Sequence, residues 1–311
     1  MSTPAEWPIA IAKPNALPLA DEAPVLRVAA LRKSFEKRQV LRAIDWTVPA
    51  GRVIGLLGRN GAGKTTLLRC LLGLSPIDGG KIELFGEPMI EPAGERMHRI
   101  GFVPQSFDLF PWMKVRAYLD FTAAFYTHWD HPLTTRLLDS WQLDPRQKIG
   151  QLSQGQRQKL AIVRAIAPQP DLLVLDEPVA SLDPQARRAF MAELLELMRQ
   201  PGKTVIFSTH ITADLERAEA DIALLRDGRI QFTRPLAELR ECMRLIVLSR
   251  AEGWVQAPAV AGLLKANIKG GDLQLLIENP DMQNLQALAA QSNASLRIET
   301  PTLEDLFVEL A

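Results

Sequence analysis

A glycine-rich segment begins at residue 58 of the chain and reads Gly58-Arg59-Asn60-Gly61-Ala62-Gly63-Lys64-Thr65-Thr66. The apolar run before it, residues 53–57, is typical of a buried strand, and the run after it, residues 67–72, is typical of a helix. A strand, a glycine-rich turn and a helix form the context in which a phosphate-binding loop (P-loop) works. Glycines let backbone N–H groups crowd around an anion, and the helix N-terminus adds partial positive charge. We therefore predict that this segment binds the phosphates of a nucleotide.

Two side chains of the segment suit phosphate chemistry. Lys64 can reach the β- and γ-phosphates, and the Thr65 hydroxyl can ligate Mg²⁺. The alternative is a glycine-rich turn without a ligand, which the flanking strand and helix disfavour.

Composition limits the remaining possibilities. The 311 residues contain 36 Lys and Arg and 36 Asp and Glu, so the formal net charge is zero. This balance argues against a nucleic-acid binder held by bulk charge, and we expect no nucleic-acid partner. No apolar run approaches the ~18 residues of a membrane span, so a role at a membrane requires a partner.

The order of the patterned segments predicts an α/β fold, with strands and helices alternating around the P-loop in a doubly wound sheet. Residues 25–48 alternate as strands of an antiparallel β layer. Residues 171–178 and 204–209 are near-continuous apolar runs, typical of buried parallel strands. Residues 111–167 have apolar positions at helical spacing and predict a helical subdomain. We expect its tryptophans, Trp112, Trp129 and Trp141, to lie in its core.

The two ends of the chain differ from this pattern. Residues 1–24 form a proline-rich extension, since prolines interrupt helices and ladders. We predict that residues 25–240 form the nucleotide-binding domain and that residues 241–311 form a small α+β domain. In this last part we predict strands near residues 245–248, 273–277 and 296–298 and helices near residues 256–265, 281–291 and 302–310.

Two acidic residues, Asp176 and Glu177, follow a predicted buried strand at its carboxyl end. Ligands of open α/β sheets bind beyond that end of the strands. Phosphoanhydride hydrolysis requires a Mg²⁺ ligand and a group that orients or deprotonates water. We assign the first role to Asp176, directly or through water, and the second to Glu177. A solvated strand end is the alternative, which the P-loop disfavours.

A third segment, Leu152-Ser153-Gln154-Gly155-Gln156, opens a helix predicted to run to Ala167. The serine could simply cap this helix. Alternatively, Ser153, the Gly155 backbone and the helix dipole bind a second anion. Two interpretations also remain for Phe35, which lies between the first strands: its ring could stack on a nucleotide base or pack in the protein interior.

With these segments the chain resembles the ATP-binding subunits of ABC transporters over roughly residues 25–240. Residues 58–66 match the Walker A motif, residues 172–176 match Walker B, and Glu177 matches the catalytic glutamate. The remaining motifs occur in family order: the adenine-stacking aromatic at Phe35, the Q-loop at Gln105, the signature at Ser153, Gln154, Gly155 and Gln156, the D-loop at Ser181, Leu182 and Asp183, and the switch histidine at His210. Gln154 stands where the family signature has its first glycine.

The resemblance implies a head-to-tail dimer of two ATP-binding subunits, with ATP between one P-loop and the signature of the other. It implies ATP and Mg²⁺ as ligands, with Thr65, Asp176 and Gln105 near the metal, and Asp183 at the dimer contact. The partners implied are an integral membrane permease and either a second copy or a paralogue of this chain. The resulting location is cytoplasmic, peripheral on the inner face of the cell membrane.

Residues 300–307 and 125–130 also resemble segments of ATPases from bacterial ABC-2-type exporters. Two other functions remain open. One is a soluble ABC ATPase that acts on ribosomes or DNA, which the single P-loop and the absence of heptads disfavour. The other is a regulator that scarcely hydrolyses ATP, which Glu177 and His210 disfavour.

Overall fold

The computed structural model describes residues 23–89, 95–106, 109–179 and 202–310, together with Arg187, residues 190–192 and residues 194–196. The side chains of residues 307–310 are not part of this description. Two predicted features, the proline-rich extension up to residue 22 and the D-loop at Ser181, Leu182 and Asp183, lie outside the described residues.

The strands and helices before the C-terminal part follow in chain order: β1 (Leu26–Phe35), β2 (Arg38–Val48), β3 (Val53–Leu57), α1 (Lys64–Leu71), β4 (Gly79–Leu84), β5 (Glu87–Pro88), β6 (Ile100–Val103), α2 (Val115–Ala123), α3 (His131–Ser140), α4 (Gln154–Ile166), β7 (Leu172–Asp176), β8 (Thr204–Thr209), α5 (Thr212–Ala218), β9 (Asp221–Arg226) and β10 (Arg229–Pro235). Short 3-10 helices cover Glu95–Arg99 and Ile149–Gln151.

Two sheets form this part of the chain. The first has the strand order β2-β1-β4-β5 with antiparallel pairing, which confirms the predicted antiparallel layer. The second has the order β10-β9-β3-β8-β7-β6, and the pairs from β9 through β6 are parallel. Every residue of β7 and β8 is buried, as expected for central parallel strands. The predicted α/β class is confirmed.

One apolar core joins the two sheets and α1. Leu67, Leu68 and Leu71 of α1 belong to the same buried cluster as Leu31 of β1 and Leu56 of β3. The helix that follows the glycine-rich segment is thus held by packing along its length. At ~1.5–3 kcal/mol for each fully buried leucine, this packing fixes the position of the segment at its N-terminus.

The predicted helical subdomain contains α2, α3 and α4, but its tryptophans do not share one environment. Trp141 is buried and packs against Phe190, with ring centroids 4.9 Å apart. Trp112 is 68% exposed, so the prediction that it lies in the core is wrong. Pro111 and Trp112 precede α2, and apolar character alone did not distinguish an exposed loop aromatic from a core anchor.

The C-terminal part contains α6 (Leu236–Cys242), β11 (Met243–Ser249), β12 (Leu263–Lys269), β13 (Asp272–Glu278), α7 (Met282–Gln291), β14 (Ser295–Glu299) and α8 (Leu303–Leu310). Its strands form an antiparallel sheet in the order β12-β13-β11-β14. Leu285 and Ala289 of α7 are buried with Ile246, Leu248 and Leu275 of the sheet. The predicted strands near residues 245, 273 and 296 and the helices near residues 281 and 302 are all present.

The helix predicted near residues 256–265 is wrong. Residues 250–262 contain no helix, and the chain then enters β12, which pairs with β13. Gly262 has a φ of 73°, and its carbonyl accepts a hydrogen bond from the Glu278 N–H at 2.9 Å. Pairing with a neighbour distant in sequence thus overrides the local helical pattern.

The described residues form two compact units that divide between Thr233 and Arg234. The boundary predicted after residue 240 stays a prediction. None of the helices in the described ranges is long and apolar enough to cross a bilayer.

Close packing of β6 against α4 generates a test of the fold. A Cβ at Gly101 of β6 would overlap the Ala165 carbonyl oxygen of α4 and lie 2.7 Å from Leu173 Cδ1. We expect Gly101→Ala to lower the free energy of unfolding by about 1–3 kcal/mol, measured by urea denaturation, because backbone must move.

Gly79 provides the matched control, since its Cβ would meet nothing closer than Arg32 Cδ at 3.9 Å. Gly79→Ala should leave the urea midpoint unchanged or raise it. Equal midpoints for the two variants would contradict the packing of β6 on α4.

Candidate functional site

The predicted site residues gather at one edge of the parallel sheet. Because β3, β6, β7 and β8 are neighbours that run parallel, the segments that follow them meet at the same edge. These segments carry the P-loop, Gln105, Asp176 with Glu177, and His210. The edge corresponds to the position at which open α/β sheets bind ligands.

The P-loop backbone depends on its glycines. Gly61 and Gly63 have φ angles of 80° and 101°, a conformation that residues with a side chain rarely adopt. A Cβ at Gly58 would lie 2.6 Å from the Leu225 carbonyl oxygen, so the loop lies against β9. Gly63 immediately precedes α1, and no side chain caps this helix. Its first N–H groups are therefore available to an anion, as phosphate binding requires.

Lys64 lies inside this loop with 6% of its surface exposed. Its Nζ donates hydrogen bonds to the carbonyl oxygens of Gly58 at 2.8 Å and Arg59 at 3.3 Å. The same Nζ is 3.7 Å from Glu177 Oε1. Burial lowers the pKa of Lys64 below its usual value, while the carboxylates of Glu177 and Asp176 act in the opposite direction. The ammonium is thus held by carbonyls and carboxylates that an incoming phosphate could replace.

The Glu177 carboxylate is the centre of the cluster. Its Oε2 accepts a hydrogen bond from Gln105 Nε2 at 3.4 Å, and its Oε1 is 3.4 Å from His210 Nδ1. The backbone of Glu177 has a φ of 49°, and its N–H donates to Ser208 Oγ at 2.9 Å. A left-handed residue directly after a buried strand makes a sharp turn, which directs this carboxylate toward Lys64.

Asp176 is buried, with 1% exposure. Its Oδ1 accepts a hydrogen bond from the Ser208 hydroxyl at 2.5 Å. Its Oδ2 is buried and has no hydrogen-bond partner among the described residues. An unpaired buried carboxylate oxygen is costly, and a divalent cation or a water bound to it would satisfy it. Together with the exposed Thr65 hydroxyl in the first turn of α1, this oxygen fits a Mg²⁺ ion.

Ser208 was missed by the sequence analysis. Its hydroxyl donates to Asp176 and accepts from the Glu177 N–H, so it links β8 to the turn after β7. The sequence signal was present: Ser208 and Thr209 are polar residues that end a fully buried strand, directly after its apolar residues 205–207.

The segment Ser153–Gln156 begins α4 with a capping box. Ser153 Oγ accepts a hydrogen bond from the Gln156 N–H at 3.2 Å, and Gln156 Oε1 accepts one from the Ser153 N–H at 3.0 Å. The capping interpretation is therefore correct for this chain. The box leaves the N–H groups of Gln154 and Gly155 without an intrahelical acceptor, and Ser153 and Gln154 are exposed. Capping thus does not preclude anion binding at the same helix end.

Phe35 ends β1 and is 51% exposed. The Nζ of Lys33 lies 5.2 Å from its ring centroid. A half-exposed ring agrees better with stacking on a ligand than with packing in the interior. Its role as an adenine contact stays a prediction.

Residues 41–180 match the family model described as ABC transporter. The chain is 39% identical over 204 residues to a "Nod factor export ATP-binding protein I" from Burkholderia lata, which covers 64% of this chain and 67% of the relative. It is 32% identical over 294 residues to the protein of the same name from Rhizobium sp. (strain N33), covering 91% and 95%.

Solved structures show the same fold. A structure described as the ATP binding subunit of an ABC transporter is 27% identical, with a TM-score of 0.62, covering 70% of this chain and 92% of the other. A dimeric ATP-binding cassette in a post-hydrolysis state, bound to ADP and Pi, is 24% identical with a TM-score of 0.60, covering 68% and 98%. The second likeness is one of fold. By sequence and fold together, the chain belongs to the ABC transporter family and is one of its ATP-binding, ATP-hydrolysing subunits.

Proposed function

We propose that this chain is the motor subunit of an exporter that binds Mg²⁺-ATP, closes head to tail with a second ATP-binding subunit, and drives a separate membrane permease. The observation that carries the proposal is the cluster at the sheet edge, in which Glu177 lies within 4 Å of Lys64, Gln105 and His210. The export function is supported by relatives that are named export ATP-binding proteins and align along nearly all of this chain.

Each side chain of the cluster has a role in this proposal. Lys64 binds the β- and γ-phosphates, and Glu177 orients and deprotonates the attacking water. Gln105 and His210 contact the two oxygens of the Glu177 carboxylate and so fix its orientation. Thr65, Asp176 and Gln105 would hold Mg²⁺, which when bound neutralises charge on the phosphates.

The second half of the site comes from a second subunit. The exposed N-terminus of α4, with Ser153 and the N–H groups of Gln154 and Gly155, offers donors and a helix dipole to the γ-phosphate of that subunit's ATP. Gln154 leaves the cap intact, so it alters affinity across the dimer without removing the contact. Asp183 belongs to the same contact in the proposed dimer, and the second subunit is either another copy of this chain or a paralogue.

The permease docks, in this proposal, on an aromatic surface formed by Phe110, Trp112, Phe121 and Phe125. These rings are 39%, 68%, 48% and 63% exposed. They form a continuous row, with centroids 5.3 Å apart for Phe110 and Trp112, 6.1 Å for Phe110 and Phe121, and 5.2 Å for Phe121 and Phe125. Exposed aromatic patches mark interaction surfaces, and a cytoplasmic segment of the permease is the occupant we propose.

The position of this surface supports that choice of occupant. Phe110 and Trp112 follow Gln105 in the same connection between β6 and α2. A partner seated on the rings would therefore act on the segment that contacts Glu177. The proposed location follows, on the cytoplasmic face of the membrane and attached through the permease.

Lys64→Met tests the P-loop assignment. The substitution removes the proposed charge-assisted contact between Lys64 and the phosphates of ATP, worth about 1.5–3 kcal/mol, so we expect ATP affinity to fall about tenfold to a hundredfold. Fluorescent ATP-analogue titration measures the affinity. The substitution removes two hydrogen bonds to carbonyl oxygens, but it also removes the cost of burying the Lys64 charge. We therefore expect the midpoint of thermal unfolding without nucleotide to change little.

Lys203→Met is the control, because Lys203 also contacts a carbonyl and a carboxylate, those of Gln169 and Asp171. Asp171 lies just before β7, at the end of that strand away from Asp176. Unchanged ATP affinity in Lys64→Met, or an equal loss in Lys203→Met, would refute the assignment.

Glu177→Gln and Ser153→Arg together test hydrolysis and the dimer. Glu177→Gln cannot accept the water proton, so we expect kcat to fall at least about a hundredfold while ATP binding persists. The variant should accumulate as an ATP-dependent dimer by light scattering. Adding Ser153→Arg to it should abolish the dimer by placing a bulky side chain at the helix end, with ATP binding retained.

Glu252→Gln, an exposed substitution in the C-terminal part, serves as control and should hydrolyse ATP normally. Normal turnover by Glu177→Gln would place the base elsewhere. A stable dimer of the double variant would exclude the proposed contact through α4.

Substitutions on the aromatic surface test docking. Trp112→Ser with Phe125→Ser removes large exposed rings, and buried aromatics dominate interface energies, so we expect loss of co-purification with the permease. The urea midpoint should be preserved, since both rings are largely exposed. Val255→Ser, at a position 90% exposed in the C-terminal part, is the matched control. Full co-purification of the Trp112 and Phe125 variant would overturn this assignment.

A further inference from the structure

His210 lies in a turn that its neighbours hold from both sides. The hydroxyl of Thr209, the preceding residue, accepts a hydrogen bond from the N–H of Ile211, the following residue, at 3.0 Å. The same hydroxyl is 3.3 Å from Asp214 Oδ2, to which it can donate its proton. Thr209 is 3% exposed and Asp214 is 1% exposed. The Thr209 hydroxyl therefore links the backbone N–H that follows His210 to one buried carboxylate.

That carboxylate is held by a second segment of the chain. Arg187 Nη2 donates to Asp214 Oδ2 at 2.6 Å, and the Arg187 side chain is 15% exposed. Arg217 Nη1 approaches Asp214 Oδ1 only to 3.9 Å. Arg187 thus provides the short contact to the oxygen that also receives the Thr209 hydroxyl. In sequence, Arg187 follows closely after Asp183 of the predicted D-loop.

Burial of an ion pair is by itself weak evidence that the pair is there to stabilise the fold. Charged partners lose their hydration on burial, and apolar residues of similar volume often serve the fold as well. Arg187, however, contacts a single oxygen of Asp214, and the second contact of that oxygen is the Thr209 hydroxyl beside His210. His210 Nδ1 in turn lies 3.4 Å from Glu177 Oε1. Together with the peptide bond between Thr209 and His210, these contacts form a path from Arg187 to the Glu177 carboxylate.

We propose that Arg187, Asp214 and Thr209 are positioning residues that fix the His210 turn and so set the rate of ATP hydrolysis. This proposal rests on the proposed function of His210 beside Glu177. The P-loop groups that bind ATP do not belong to this path. A variant that breaks the path should therefore lower kcat without changing the affinity for ATP.

Thr209→Val is the first test, since valine keeps the shape of threonine and removes only the hydroxyl. We expect kcat to fall about tenfold to a hundredfold, because a displacement of about 1 Å in a catalytic group can cost about a hundredfold. KM for ATP should stay within about twofold, since affinity is supplied elsewhere. Thr209→Ser keeps the hydroxyl and should restore most of the lost kcat. Wild-type kcat in Thr209→Val would overturn the proposal, as would equal losses in the valine and serine variants.

Asp214→Asn removes the charge while keeping the size of the side chain, and it should reproduce the loss of kcat. Its control is Asp171→Asn, which removes a carboxylate that pairs with Arg99 at 2.7 Å and Lys203 at 3.3 Å near the opposite end of β7. If Asp171→Asn lowers kcat as much as Asp214→Asn does, the effect is one of general stability and the proposal fails.

A double-variant cycle separates this inference from the proposed function. If Thr209 acts through His210, Thr209→Val should cause no further loss of kcat in a His210→Ala background. Additive losses would show an independent structural effect and overturn the inference. If His210→Ala alone leaves kcat unchanged, the proposed function of His210 fails first. A loss in His210→Ala without a loss in Thr209→Val refutes the positioning path alone.

Discussion

Parallel pairing of β8 with β3 on one side and β7 on the other places Thr209 beside Leu57 and Ser208 beside Asp176. This register determines which side chains can meet beyond the sheet edge. The P-loop leaves β3 one residue after Leu57, and Glu177 leaves β7 one residue after Asp176. Lys64, Glu177 and His210 come together because three adjacent strands end at the same level. If β3 or β7 were shifted in register, the Lys64 ammonium and the Glu177 carboxylate would lie apart, whatever conformation the loops adopted.

The site at this sheet edge contains two charged side chains, Lys64 and Asp176, whose burial is unfavourable. Lys64 is almost fully buried, and its lowered pKa shows that burial outweighs the attraction of the nearby carboxylates. Asp176 keeps one buried oxygen without a partner in the part of the chain that the structure describes. A bound phosphate would compensate for the burial of the Lys64 ammonium, and a divalent cation would pair with the buried Asp176 oxygen. Ligand binding is thereby favoured by the chain itself, since the charges are already desolvated and oriented before the ligand arrives.

Sequence reasoning predicted the local structure of the candidate site where that structure depends on residues contiguous along the chain. The P-loop, the Asp176–Glu177 pair and the capping segment at Ser153 each consist of a few consecutive residues, whose structure is decided locally. It failed where the outcome depends on distant partners. Arg187 and Asp214 contact each other from segments that share no sequence pattern. Ser208 contacts Asp176 and Glu177 only because β8 pairs with β7. The strand β12 replaced a predicted helix for the same reason, because pairing with β13 outweighed local periodicity.

The two halves of the proposed site, the P-loop and the start of α4, place different demands on the fold. The P-loop half is built into the core, so its geometry follows from burial of α1 between two sheets. The half at α4 lies on the surface, where the Ser153 and Gln156 side chains satisfy the groups that would otherwise depend on a partner. Because the helix end is capped within its own chain, a single subunit can fold before it meets another. In the proposed dimer, the Ser153 hydroxyl and the N–H groups of Gln154 and Gly155 are left to recognise a ligand, so association can depend on bound nucleotide rather than on an apolar interface.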